Sequence, residues 1–121
     1  HMDERVDNYS MQTGYRLMNK LLSETQDFTA VYAIADSLAI GACRALVEHN
    51  KRIPDDYSVA GFDGLETGGF YNPSITTIRQ PVEKIAKETV DLLFHIMQKG
   101  GNNRQVVLPG ELVIRESTKK V

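Results

Sequence analysis

Tryptophan is absent from this sequence of 121 residues, cysteine occurs once, and neither sign of charge dominates. The lone Cys43 excludes an internal disulfide and a multi-cysteine zinc site, and it fits a reducing compartment. Lys and Arg number 14 against 16 Asp and Glu, a formal net charge of −2. So even a balance leaves no basic footprint for gripping phosphates, and these residues alone are not expected to bind DNA. No apolar run approaches the roughly 18 residues needed to span a membrane. Enzyme motifs are missing too: there is no G-x-S-x-G elbow, phosphate loop, G-x-G-x-x-G or H-E-x-x-H. His49 and His95 fall in expected helices far apart in the chain, and Cys43 among alanines reads as a small core residue. No catalytic residue, metal site or cofactor is expected.

What is present is an ordinary globular balance, with 41% hydrophobic and 25% charged residues. The length allows one domain or part of one. His1-Met2 reads as the remnant of a cleaved tag, leaving residues 3–121 to carry the fold.

Met11, Tyr15, Met18, Leu21 and Leu22 recur at helical spacing over Gln12 to Ser23, with Ser10 as the expected N-cap. The run Phe28 to Ile34 is apolar and rich in β-formers, the habit of a strand buried on both faces of a parallel sheet. Asp36 is expected to cap a second helix that runs to about Glu48, with Leu38, Ala42, Ala45 and Leu46 inward. Pro54-Asp55-Asp56 supply turn chemistry, and Tyr57 to Phe62 is a second buried strand. Asp63 to Ser74, with three glycines and Pro73, reads as a long functional loop. Ile75 to Gln80 is a short strand. Pro81 suits the first position of a third helix, which Gly100-Gly101-Asn102-Asn103 stop. Leu92, Phe94 and Ile96 lie off that helix's main apolar stripe, so it wants cover on more than one face. Val106 to Leu108 and Glu111 to Arg115 are the last expected strands. Alternation of this kind argues for an α/β fold with a mainly parallel sheet.

Asp36 and Asp63 each follow a strand, at the carboxyl edge where open α/β sheets bind ligands. Asp36 is read as a helix cap. Asp63 has no helix to cap and is crowded by glycines, so its carboxylate is expected to accept hydroxyl hydrogen bonds from a polar ligand. A phosphoacceptor receiver would also place acids at strand ends, but the acid cluster and closing lysine it needs are not in the required order.

Four blocks carry a family resemblance: Phe28 to Ala42, Ile53-Pro54-Asp55-Asp56-Tyr57-Ser58-Val59-Ala60-Gly61-Phe62-Asp63, Pro73-Ser74-Ile75-Thr76-Thr77-Ile78-Arg79-Gln80-Pro81, and Leu112 to Thr118. In their order and spacing they resemble the lac-repressor (LacI/GalR) family over nearly the whole chain. The resemblance implies a periplasmic-binding-protein-like (type I) C-terminal lobe, mainly parallel sheet flanked by helices, as a partial domain. Residues 80–108 would cross toward an N-terminal lobe, with crossovers near Gln80-Pro81 and Leu108-Pro109. It further implies a cytoplasmic bacterial repressor whose helix-turn-helix headpiece, outside this chain, binds DNA under control of a sugar-type effector.

By the same resemblance Tyr9 would stack on the ligand ring, Asp63 would bind effector hydroxyls or amines, and Gln80 would line the cleft, with Ser37 joining them. A surface tyrosine and a plain strand-end glutamine are the other readings of Tyr9 and Gln80. Ala35 departs from the asparagine many sugar-binding members carry, which puts a simple hexose in doubt. Family dimers would join through Ile40, Arg44 and Val47, expected off the core stripe, with Phe70 and Tyr71 in the loop after Asp63; ordinary burial is the other reading of Ile40. The alternative function is one lobe of a secreted sugar-binding transport receptor.

Overall fold

Residues 8–101 and 104–121 are described by the computed structural model; the expected tag remnant His1-Met2 and the helix-stopping Asn102-Asn103 lie outside them. The chain divides into two units, His1–Arg79 with Leu112–Val121, and Gln80–Glu111.

In the first unit, Ser10 is extended and its Oγ accepts the Thr13 amide at 3.1 Å, satisfying one of the free donors at the start of α1 (Met11–Glu24). Thr13, Gly14, Met18 and Leu22 form the buried stripe of α1. That stripe packs on α2 (Asp36–Glu48), whose Leu38, Ala42, Ala45 and Leu46 are buried as the periodicity predicts. The two backbones touch at a pair of glycines. A Cβ added to Gly14 would lie 2.8 Å from Leu38 Cα, and one on Gly41 would lie 2.7 Å from the Tyr15 nitrogen. Only glycine permits that approach.

β1 (Ala30–Tyr32) pairs in parallel with β2 (Ser58–Ala60), Val31 opposite Val59. Both strands are shorter than their apolar runs. β1 was expected to be buried on both faces, and it is not: only Val31 is half-buried, while Tyr32 is 62% and Ile34 54% exposed. The reason is its place at the end of the sheet, with β2 its one strand partner among the described residues. After β2 come the short α3 (Glu66–Phe70), inside the stretch expected to be irregular, and β3 (Thr77–Arg79). Single parallel bridges, Ala60 to Thr76 and Asp63 to Arg79, bring β3 beside β2. β3 also pairs with β4 (Glu111–Val113).

The C-terminal segment closes this unit. The Val59 amide donates to Ser117 O at 2.8 Å and the Ser117 amide to Ser74 O at 2.9 Å. The Ser117 hydroxyl, fully buried, donates to Val59 O at 2.5 Å and accepts the Thr76 amide at 2.8 Å. Met18, Leu22, Cys43, Leu46, Val59 and Ile75 are among the core residues.

The second unit is built on α4 (Val82–Lys99), which ends at Gly100 with φ +80°. Pro81 stands at the N-cap, one place before the position expected for it. The apolar pattern on more than one face of α4 is present as exposed surface: no residue of α4 is buried, and Phe94 and Met97 are 56% and 71% exposed. Val106 to Leu108, expected as a strand, has no regular structure; β4, which starts at Glu111, pairs with β3 instead.

Candidate functional site

The carboxyl ends of β1 and β2 are joined by hydrogen bonds from the Ala33 amide to Ala60 O and from the Asp36 amide to Phe62 O, both 2.8 Å. This is the edge at which the sequence placed its two acids, and the structure gives them different work. Asp36 is not the helix cap. The N-cap position belongs to Ala35, extended and without a side-chain acceptor, and Asp36 is the first helical residue. Its side chain turns inward instead and is wholly shielded from solvent. Oδ2 accepts the Leu65 amide at 2.7 Å and Oδ1 accepts the Thr77 hydroxyl at 2.6 Å. A buried carboxylate needs such donors, and a first-turn position adds the favourable end of the helix dipole.

Asp63 sits half-buried just past β2 with φ +127°, and Gly64 follows at φ +78°. Two consecutive residues in left-handed space make the sharp turn that ends the strand, at a cost of about 1–3 kcal/mol for the non-glycine. The Asp63 amide donates to Ile78 O at 3.0 Å and the Gly64 amide to Thr77 Oγ1 at 3.3 Å. Ser37 and Tyr9 meet at the same edge, the Ser37 hydroxyl donating to the Tyr9 carbonyl. That bond holds the backbone of Tyr9, and the residue stays 60% exposed. Tyr9, Ser37 and Asp63 therefore share the carboxyl edge of the β1–β2 pair. Gln80, the fourth residue of the expected set, follows β3 as the first residue of the second unit. Ala35 is 5% exposed and offers the edge no polar group.

The residues expected at a dimer surface divide. Val47 and Phe70 are 53% and 84% exposed. Arg44 is exposed, and its Nε donates to Glu48 Oε1 at 2.7 Å while the Tyr15 hydroxyl donates to Oε2 at 2.6 Å. Those two bonds, the tyrosine's first, hold the Glu48 carboxyl below the usual carboxylate range. Tyr71 is half-buried against the core, and burial pushes its phenol up. Ile40 does not project off the core stripe as expected. It is 5% exposed and belongs to the core cluster, because the close approach at Gly41 brings the start of α1 over that side of α2. Ile40, Arg44 and Tyr71 line an open hollow of about 310 Å³ with Met11, Gln12 and Tyr15.

Cys43 is fully buried, and desolvation pushes its thiol up to about 12. Among the described residues no group of three or more His, Cys, Asp or Glu could hold a metal, and no helix is long and apolar enough to cross a membrane.

Parallel strands flanked by helices, with polar groups gathered at the strands' carboxyl edge, define an α/β domain of the periplasmic-binding-protein type. Residues 2–118 match the family of periplasmic binding protein-like domains, and the chain belongs to it. It is 43% identical over 109 residues to the HTH-type transcriptional regulator MalR of Clostridium butyricum, covering 90% of this chain and 32% of that protein. The lac repressor dimer bound to operator and the anti-inducer ONPF superposes with a TM-score of 0.86 at 32% identity, over 92% of this chain and 39% of that one. A LacI family regulator from Enterococcus faecium with bound ribose gives 0.79 at 34% identity, over 92% and 41%. The chain thus spans about a third of the length of the MalR relative. The relatives are transcriptional regulators and not enzymes, in line with the catalytic motifs the sequence lacks.

Proposed function

We propose that this chain is the effector-sensing and dimerising part of a cytoplasmic bacterial regulator in which a sugar-type small molecule controls operator binding by a helix-turn-helix headpiece. The observation that carries the reading is the gathering of Tyr9, Ser37 and Asp63 at the carboxyl edge of β1 and β2, where ligands bind in open α/β sheets. Asp63 accepts hydroxyl hydrogen bonds, Tyr9 offers a ring face to the sugar, Ser37 holds Tyr9, and Gln80 contributes a polar side chain from the start of the second unit. Residues 80–108 cross to a second lobe, so that closure on the ligand is felt by the headpiece as a coupling between two sites. Arg44, Val47, Phe70 and Tyr71 form the dimer surface, with Ile40 supporting it from within the core.

The test uses the full-length regulator and a labelled fragment of its own promoter, followed by fluorescence anisotropy. Ribose or cellobiose shifts the DNA-binding midpoint about tenfold, a coupling of typical size. Asp63→Ala abolishes that shift and leaves sugar-free DNA binding intact. A full-length protein with a cleaved leader and no DNA affinity would replace this reading with that of a transport receptor. For the dimer surface, Phe70→Asp with Val47→Asp yields monomers by light scattering, and an unchanged mass would remove that assignment.

A further inference from the structure

The Asp36 carboxylate is buried beneath the edge that carries Tyr9, Ser37 and Asp63, and each of its oxygens is engaged from a different part of the chain. We propose that Asp36 and Thr77 are a positioning pair that sets the Asp63 turn for effector binding; this rests on the reading of Asp63 as an effector ligand.

Three consecutive amides, those of Asp63, Gly64 and Leu65, are pinned at this turn. The first goes to the backbone of β3, through Ile78 O. The other two go to the pair: Gly64 to Thr77 Oγ1 and Leu65 to Asp36 Oδ2. The Thr77 hydroxyl has one proton, and it gives that proton to Asp36 Oδ1 at 2.6 Å. Its lone pairs are thereby turned to the Gly64 amide, so the carboxylate holds the turn once directly and once through threonine. From the other side, the Asp36 amide donates to Phe62 O.

The turn needs this hold because Asp63 and Gly64 both have positive φ, a conformation the aspartate leaves unless its neighbours insist on it. The carboxylate also lies close over Gly61: a Cβ there would collide with Asp36 Oδ1 and stand 3.1 Å from its Cα. Neither Asp36 nor Thr77 needs to touch the ligand. They decide where the carboxylate of Asp63 stands when the ligand arrives.

The experiment uses the full-length protein with Thr77→Val, which keeps the shape and removes the hydroxyl, and Thr77→Ser, which restores it. Asp36→Asn is the second disruption should Thr77→Val fail to fold. Two quantities are read: hydrogen exchange at Asp63 to Leu65 without sugar, and calorimetric affinity for ribose and cellobiose. Thr77→Val is expected to speed exchange at the turn about tenfold while α1 keeps its wild-type rates, and to weaken binding of whichever sugar the wild type takes by a similar factor. Thr77→Ser returns both to wild type. Unchanged exchange at the turn overturns the proposal, as does faster exchange with unchanged sugar affinity. A wild-type protein that binds neither sugar overturns the sugar-ligand reading of Asp63 by itself, and the exchange arm still decides whether the pair holds the turn.

Discussion

Adding one methyl group at Gly14 or Gly41 tests the helix pair at its tightest point. In a solvent-exposed helix, glycine to alanine would stabilise by about 1 kcal/mol through backbone entropy. Here the new Cβ at position 14 would stand 2.8 Å from both Leu38 Cα and C, and at position 41 it would stand 2.7 Å from the Tyr15 nitrogen and 2.8 Å from Met11 C. Real Cβ atoms keep about 3.4 Å or more from such neighbours, so the helices must part by more than half an ångström. A radial gap of about 0.5–1 Å forfeits a quarter to a half of each dispersion contact across it. The seam that opens is the one buried by Met18, Leu22, Ala42 and Leu46. Overpacking of this kind costs about 1–3 kcal/mol beyond the propensity gain, and backbone atoms, unlike a flexible side chain, cannot swing aside. We expect Gly14→Ala and Gly41→Ala each to lose about 2–3 kcal/mol in urea unfolding followed by circular dichroism. Gly101→Ala, whose Cβ would meet nothing within 4 Å, serves as the neutral control. The double variant should lose less than the sum, since the first methyl already parts the helices for the second. Either single variant unfolding at the wild-type urea concentration or above would refute the close approach.

Two further outcomes follow from buried groups. With its thiol near 12, Cys43 should resist alkylation at pH 8 in the folded protein and react once urea unfolds it. Because the folded value lies above the unfolded one near 9, Cys43 contributes stability that is complete below pH 9 and is lost as pH rises toward 12; Cys43→Ala should flatten that part of the stability curve. Ser117→Ala removes the acceptor of the buried Thr76 amide and the donor to Val59 O, so a loss of about 2–3 kcal/mol in the same urea assay is expected.

The helices were the most legible part of the sequence. The start of α1 followed from Ser10, and its course and that of α2 from their three-and-four spacing, because both signals lie within a few residues of the structure they report. The double-faced apolar pattern of α4 was legible for the same reason. Features set by distant partners were not. Asp36 looked like a helix cap because nothing near it in the chain announces Thr77, 41 residues on. The β1 run looked buried on both faces because composition records what a strand can cover, not which neighbours it has. Ile40 seemed to leave the core stripe until Gly41 brought α1 across it. Val106 to Leu108 has β-forming residues but no strand beside it. Of the candidate site, the place of Asp63 at the end of β2 was readable from the apolar run before it, while Tyr9 entered only through the family resemblance. The bond that joins Ser37 to Tyr9, and the buried pair beneath the turn, were not.

The closing strand-like contacts of Ser117 bear on how the protein is made. A nascent chain that has emerged only as far as Arg79 already contains α1, α2, β1, β2 and β3, yet the amides of Val59 and Thr76 still await their partners on Ser117. All of Gln80–Glu111 must be synthesised in between. On the ribosome the first unit therefore waits for the second, and its buried hydrogen bonds are completed only once Ser117 has emerged. A chain cut short just before Leu112 would keep most of these core residues and lose the means of sealing them, and cellular proteases and chaperones would meet it as an open sheet.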